Sequence, residues 1–169
     1  MLRLRLVPLP AALQPRADPD ARAPTPADNA ALAELMLAAY RGTVDDEGET
    51  PEQALAVLQQ WADGDFGQPL WAVSEVVQRE GQPVAATLVT LWQDLPLVAF
   101  VMTHPRWQRQ GLARAGLRRV MQRLGAGDET VLRLVVTASN VPAMALYEEL
   151  GFAPERQLQA QAAPSPGPG

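Results

Sequence analysis

The feature that most constrains the fold is a continuous apolar run at 97–103, which stands directly before a loop and a helical pattern. A run of this kind is typical of a central strand buried on both faces. After Gly111, apolar residues recur at helical spacing from Ala113 to Leu124 with arginines opposite, and we expect this helix to end near Gly125. A buried strand that leads through a glycine turn into an amphipathic helix predicts an α/β fold.

Further predicted elements surround this unit. They are strands at 2–6, 71–77, 83–92 and 131–136, a last strand from Phe152, and helices that begin near Asp28, at Pro51 and at Pro142. Asp28 and Thr50 are the candidate N-caps of the first two helices. We expect one domain at 1–162 and a disordered tail at 163–169, which is too poor in core residues to fold.

Composition excludes several classes of protein. The chain has no cysteine and one histidine, His104, so disulfide scaffolds and thiolate or histidine-rich metal sites are excluded and no metal is expected. A net charge of −5 argues against nucleic-acid binding. The first residues form no continuous apolar core, so no membrane span is expected and a cytoplasmic location is predicted.

Charge is distributed unevenly along the chain. Six arginines and no acid lie within 97–127, whereas seven acids and no basic residue lie within 43–65. The first segment would attract an anion and the second a cation. Ordinary solvated faces are the alternative explanation for either cluster.

A phosphate-binding pattern lies between the central strand and its helix. The residues are Gln108, Arg109, Gln110, Gly111, Leu112 and Ala113, followed by Arg114. A glycine at a helix entrance lets the backbone approach a ligand, and the first-turn amides point at an anion. A plain strand, turn and helix is the alternative. The segment resembles the Q/R-x-x-G-x-G/A signature of the GNAT acetyltransferase superfamily, which implies that these seven residues bind the pyrophosphate of acetyl-CoA.

A second segment strengthens this resemblance. The run from Asn140 through Tyr147 to Phe152 resembles the N-x-x-A-x-x-x-Y-x-x-x-G-F segment of the same superfamily. Asn140 and Tyr147 are two helical turns apart and share one face. The resemblance implies that Tyr147 is the general acid and that Asn140 binds the cofactor. Tyr147 could instead pack in the core, and Asn140 could cap the helix, which is compatible with cofactor binding.

The resemblance also implies a fold and a place for acetyl-CoA. The fold would be a mixed, mostly antiparallel sheet of six or seven strands flanked by about four helices, with splayed central strands. The backbone of Val101, Met102 and Thr103 would bind the pantetheine arm as an added strand does, although ordinary sheet pairing is equally compatible with these residues.

The general base is the least defined part of the predicted site. Some family members carry a glutamate where this chain has Val135. In the acidic loop, which also holds Asp45 and Glu47, the candidate base or acceptor-binding residues are Glu49 and Asp46. A solvated loop is the alternative reading, and Glu75 is a further candidate base.

These observations together predict an acyltransferase. It would move the acetyl group of acetyl-CoA to a primary amine of a small molecule or peptide by direct attack, and the acidic loop favours a cationic acceptor. The alternative is a catalytically silent module that binds acyl-CoA. Many members of the family pair as dimers, so the resemblance leaves a homodimer open.

Overall fold

The computed structural model describes residues 1–6 and 15–155. Within them, the α-helices are α1 (Asn29–Tyr40), α2 (Pro51–Asp63), α3 (Leu112–Ala126) and α4 (Val141–Glu149), and short 3₁₀ helices span Pro26–Asp28 and Pro105–Trp107. The strands are β1 (Leu2–Leu6), β2 (Ala21–Arg22), β3 (Gln68–Pro69), β4 (Glu75–Arg79), β5 (Gln82–Trp92), β6 (Leu95–Thr103), β7 (Leu132–Val136) and β8 (Ala153–Pro154). The predicted tail at 163–169 lies outside the described residues.

The strands form one mixed sheet. Their order is β2, β4, β5, β6, β7, β1 and β8, and β3 pairs with β5. Only β6 and β7 pair in parallel, and the other pairs are antiparallel. The predicted α/β class, the mostly antiparallel sheet and the four helices are confirmed. The sheet of the described residues has eight strands rather than six or seven. The last strand, expected from Phe152, is present as β8, whereas β2 and β3 were not predicted, because strands of two residues show no alternation of apolar and polar residues.

Two helix starts follow different local chemistry. The hydroxyl of Thr50 accepts from the Gln53 N–H, and the Gln53 side chain accepts from the Thr50 N–H, so α2 begins with the predicted cap. Asp28 precedes α1 as predicted, but its carboxylate makes no bond to the first turn of that helix. It accepts instead from the Thr25 N–H and the Arg22 guanidinium, because Asp28 is also the last residue of the 3₁₀ helix Pro26–Asp28, whose N-cap is Thr25.

Helices cover both faces of the sheet. The adjacent residues Leu88 and Val89 of β5 are fully buried and point to opposite faces, as successive strand residues do. Leu88 packs with α1 and α2, and Val89 packs with α3 and with Phe152. β6 pairs with β5 and therefore lies between the same two layers of helices.

Helix α3 is anchored to the sheet by a buried ion pair. Glu75 of β4 accepts from Arg119 at 2.8 Å and from Arg123 at 2.9 Å, and Arg119 also donates to the carbonyl of Arg16. Gly116 lets the helix lie against Thr87 of β5. These contacts hold the N-terminus of α3 at the end of β6.

Candidate active site

The parallel strands β6 and β7 separate after a short contact. They pair only at Leu97 with Arg133 and at Val98 with Leu134, although β6 continues to Thr103. Beyond Val98, β6 keeps its partner β5 on the other side. One backbone edge of residues 99–103 therefore borders a gap, which is the predicted splay. We call this gap the cleft.

Alternate residues of β6 turn their backbone groups to the cleft. The carbonyl of Val101 accepts from the Tyr40 hydroxyl, and that of Thr103 accepts from the Gln108 side chain, each at 3.4 Å. The N–H of His104 donates to Val84 of β5, so Met102, two residues earlier, has its backbone groups on the β5 side. Of the three residues predicted to bind pantetheine, Val101 and Thr103 offer backbone groups there.

The loop from β6 to α3 ends in a left-handed turn. Gly111 is the N-cap of α3 with a φ of 76°, and Arg109 has a φ of 62°. A Cβ at Gly111 would meet no atom within 4 Å, so the positive φ, rather than crowding, requires the glycine. The N–H groups of Leu112, Ala113 and Arg114 have no intrahelical acceptor. Gln108, Arg109 and Gln110 are exposed beside them.

The arginines of α3 are divided between structure and surface. Arg119 and Arg123 are held by Glu75, so they are part of the packing. Arg114 forms an exposed ion pair with Glu149 of α4. The backbone amides of the first turn, which lack intrahelical acceptors, remain able to bind an anion at this helix end.

Asn140 and Tyr147 bring α4 into the cleft. The side-chain oxygen of Asn140 accepts from the Ala143 N–H at 3.1 Å, and its amide donates to Asp45 at 2.7 Å. The ring of Tyr147 packs edge-on against Phe152, with centroids 5.8 Å apart. Burial raises the pKa of Tyr147 to about 12, and the charge of Asp45 adds to this. Asn140 therefore also caps α4, and Tyr147 also packs in the core.

Tyr40 was not predicted as a site residue. It is the last residue of α1, and its hydroxyl donates to Val101. Burial raises its pKa, and Tyr147, Asp45 and Glu49 raise it further. The chain has only two tyrosines, and both meet in the cleft. The presence of only two tyrosines was the one feature of the sequence that could have identified Tyr40 as a site residue.

The acids of the loop between α1 and α2 differ in their surroundings. Asp46 accepts from the Gly42 N–H at 2.7 Å and the Gly48 N–H at 3.0 Å, and these bonds lower the pKa of Asp46. It therefore shapes the loop. Glu49 lies close enough for its charge to act on Tyr40. Asp45 alone among these acids hydrogen-bonds to a side chain of α4.

Two further observations concern metal binding and membrane insertion in the described part of the chain. No group of three potential metal-binding side chains was found there. None of the described helices is long and apolar enough to cross a membrane.

Comparisons with known proteins agree with this geometry. The sequence profile described as "Acetyltransferase (GNAT) family" matches residues 29–152. The [ribosomal protein bS18]-alanine N-acetyltransferase of Escherichia coli K12 is 36% identical over 74 residues, which are 44% of this chain and 50% of that protein. The chain thus spans about half the length of the curated relatives it matches.

Solved structures share the fold. The ribosomal-protein-S18-alanine N-acetyltransferase from E. coli superposes with a TM-score of 0.62 at 24% identity, over 79% of this chain and 76% of that one. A putative GNAT-family acetyltransferase from Novosphingobium aromaticivorans gives a TM-score of 0.62 at 26% identity, over 90% and 59%. Because the family profile extends over most of the chain, the protein belongs to the GNAT acetyltransferase family.

Proposed function

We propose that this protein is an N-acetyltransferase that moves the acetyl group of acetyl-CoA to a primary amine by direct attack. The observation that carries the proposal is the cleft itself. It opens where β6 leaves β7 beyond Val98, and it has unpaired amides of α3 at one end and Tyr147 on its wall.

The described residues fit acetyl-CoA in two places. The first-turn amides 112–114 lie at a helix N-terminus whose dipole favours a pyrophosphate. The cleft-side N–H and C=O groups of Val101 and Thr103 can pair with the amides of a pantetheine arm as a neighbouring strand would. Gln108, Arg109 and Gln110 are exposed beside the helix end and can donate to phosphate oxygens.

The residues of the cleft supply the remaining chemistry. The amine nitrogen attacks the thioester carbonyl carbon, a C–N bond forms, and the C–S bond breaks. A cleft-side amide of β6 stabilises the carbonyl oxygen as it gains charge. Tyr147 keeps its proton at neutral pH, because its pKa is raised to about 12, and it can give that proton to the departing CoA sulfur.

The acceptor is proposed to be the amine of a small molecule or peptide. The partial relative from E. coli is named for an alanine of a ribosomal protein, which favours a peptide amine. The acidic loop beside Asn140 adds negative charge where a cationic amine would approach.

The test combines binding with turnover. Calorimetry should show acetyl-CoA binding, and release of CoA thiol should reveal the amine that is acetylated. Tyr147→Phe keeps the packing on Phe152, so acetyl-CoA affinity should stay within about threefold, whereas kcat should fall by about 10²-fold or more.

Each outcome of this test is decisive. Absence of acetyl-CoA binding would refute the proposal. Binding without turnover on any amine would favour the silent acyl-CoA-binding module. A Tyr147→Phe variant with unchanged kcat would leave the transferase standing and remove Tyr147 as the acid.

A further inference from the structure

Asp45 joins the two walls of the cleft. It lies on the loop between α1 and α2, yet its carboxylate accepts from the amide of Asn140, which is 95 residues away in the sequence. Tyr40, at the end of α1, makes a second connection by donating to Val101 of β6. Together these two bonds bring the loop to the place where β6 and β7 separate.

The hydroxyl of Tyr147 lies near this carboxylate at the surface of the cleft, where solvent reaches it. Tyr147 is only 8% exposed, and among the described residues no group hydrogen-bonds to its hydroxyl. The charge of Asp45 acts on Tyr147 and also on Tyr40, so the carboxylate lies near both hydroxyls. A side chain that is mostly buried and ends in a hydroxyl without a protein partner at the cleft surface can bond to a molecule that enters the cleft.

Other acids near the cleft are committed elsewhere. Asp46 uses its oxygens to hold the backbone of its own loop. Glu75 is enclosed by two arginines. Val135 stands on β7 where some relatives have a glutamate, so that strand offers no base. Asp45, by contrast, has only one carboxylate oxygen engaged by a side chain of the described residues.

We propose that Asp45 binds the ammonium group of the acceptor and takes its proton, while Asn140 positions the carboxylate. The inference rests on the proposed function. The ammonium nitrogen gives one proton to the carboxylate of Asp45, and the resulting lone pair forms the C–N bond. After attack, the amide nitrogen loses its second proton to water, Tyr147 protonates the sulfur, and the proton on Asp45 returns Tyr147 to its neutral form or leaves to solvent.

The groups that face Asp45 determine how the reaction should depend on pH. They are Tyr40 on α1 and Tyr147 on α4, on both of which the charge of Asp45 acts. In the same loop, Glu49 acts on Tyr40, and Arg41 acts on Asp46. Tyr147 stays protonated well above neutral pH, because its pKa is about 12, and the pKa of Tyr40 is also raised. Between about pH 6.5 and pH 9.5, the loss of activity caused by removing the Asp45 carboxylate should therefore follow the protonation of the acceptor amine.

The test compares Asp45→Asn with Glu47→Gln. Asparagine keeps the shape and can still accept from Asn140, and Glu47 is an exposed acid of the same loop with no role in the site. The probes are alanyl-alaninamide, spermidine and benzylamine, with acetyl-CoA as donor. For Asp45→Asn, kcat/KM should fall at least about 30-fold near pH 6.5, and acetyl-CoA affinity should stay within about twofold.

A structural role for Asp45 would give a different pH profile. If Asp45 takes the proton of the acceptor, the loss of kcat/KM that Asp45→Asn causes with alanyl-alaninamide should shrink to about threefold near pH 9.5. The α-amine of this probe has a pKa of about 8 and is neutral at that pH. Glu47→Gln removes one exposed charge of the same loop, so its kcat/KM should stay within about threefold of the wild type and show no such dependence on pH. An Asp45→Asn loss that is equal at both pH values, or absent at both, would overturn the inference. A wild-type protein that binds acetyl-CoA but acetylates none of the probes would instead contradict the proposed function.

Discussion

Replacing Gly116 by alanine should destabilise the protein, whereas replacing Gly125 of the same helix should stabilise it. A Cβ at Gly116 would lie 2.9 Å from the hydroxyl of Thr87 and 3.5 Å from a carboxylate oxygen of Glu75. Both neighbours are buried, and Glu75 is held by its arginines, so neither can move freely. A Cβ at Gly125 would meet no atom within 4 Å.

The two substitutions share one gain and differ in one cost. Alanine gains up to about 1 kcal/mol over glycine in a helix interior. At Gly116 this gain is outweighed by overpacking, which costs about 1–3 kcal/mol. We expect Gly116→Ala to lose about 1 kcal/mol and Gly125→Ala to gain about 0.5–1 kcal/mol. The gap of about 2 kcal/mol corresponds to about 4–8 °C in Tm for a chain of this length.

Urea and thermal unfolding of the wild type and both variants measure this gap. Because α3 carries the first-turn amides, Gly116→Ala should also weaken acetyl-CoA binding, while Gly125→Ala should leave it unchanged. A Gly116→Ala variant as stable as Gly125→Ala would refute the close approach of α3 to β5.

Three more predictions follow from ion pairs. Glu75→Gln keeps the side-chain volume but leaves two guanidinium groups without their counter-charge, so the free energy of unfolding in urea should fall by about 3 kcal/mol. Glu149→Gln releases Arg114 from an exposed pair, so acetyl-CoA affinity by calorimetry should rise by up to about fivefold at low salt, and no rise would show that Arg114 does not reach a phosphate. Hydrogen bonds from Arg22 hold the pKa of Asp28 at about 2, below its unfolded value; this contribution is therefore present above about pH 4 and lost as the pH falls towards 2. Asp28→Asn should flatten that part of the stability profile, and an unchanged slope would contradict the assignment.

The parts of the fold that local sequence controls were predictable. The apolar run at 97–103 became most of β6, and the capping box at Thr50 started α2, because burial on both faces and a helix cap leave direct marks in the sequence. Helix α3 was also predicted, although it continues through Gly125 to Ala126 and has Gly127 as its C-cap.

Contacts between distant segments could not be predicted in this way. Strands of two residues have no periodicity, so β2 and β3 depend on the neighbours that the fold provides. The bond between Asp45 and Asn140 joins residues 95 apart, and no spacing rule connects them. Glu75 resembled a free carboxylate in the sequence until the packing of α3 placed Arg119 beside it.

The arginine-rich segment shows why position matters more than count. Six arginines within 97–127 suggested a surface for anions. Arg119 and Arg123 share the carboxylate of Glu75, and Arg114 is paired with Glu149, so three of the six arginines are engaged and two carboxylates balance part of their charge within the described residues. In the proposed site, phosphate recognition at the start of α3 would therefore depend chiefly on the backbone amides that follow the left-handed turn at Gly111. The specific residue of the proposed motif is therefore Gly111, and two of the arginines that follow it, Arg119 and Arg123, fix the helix that begins there.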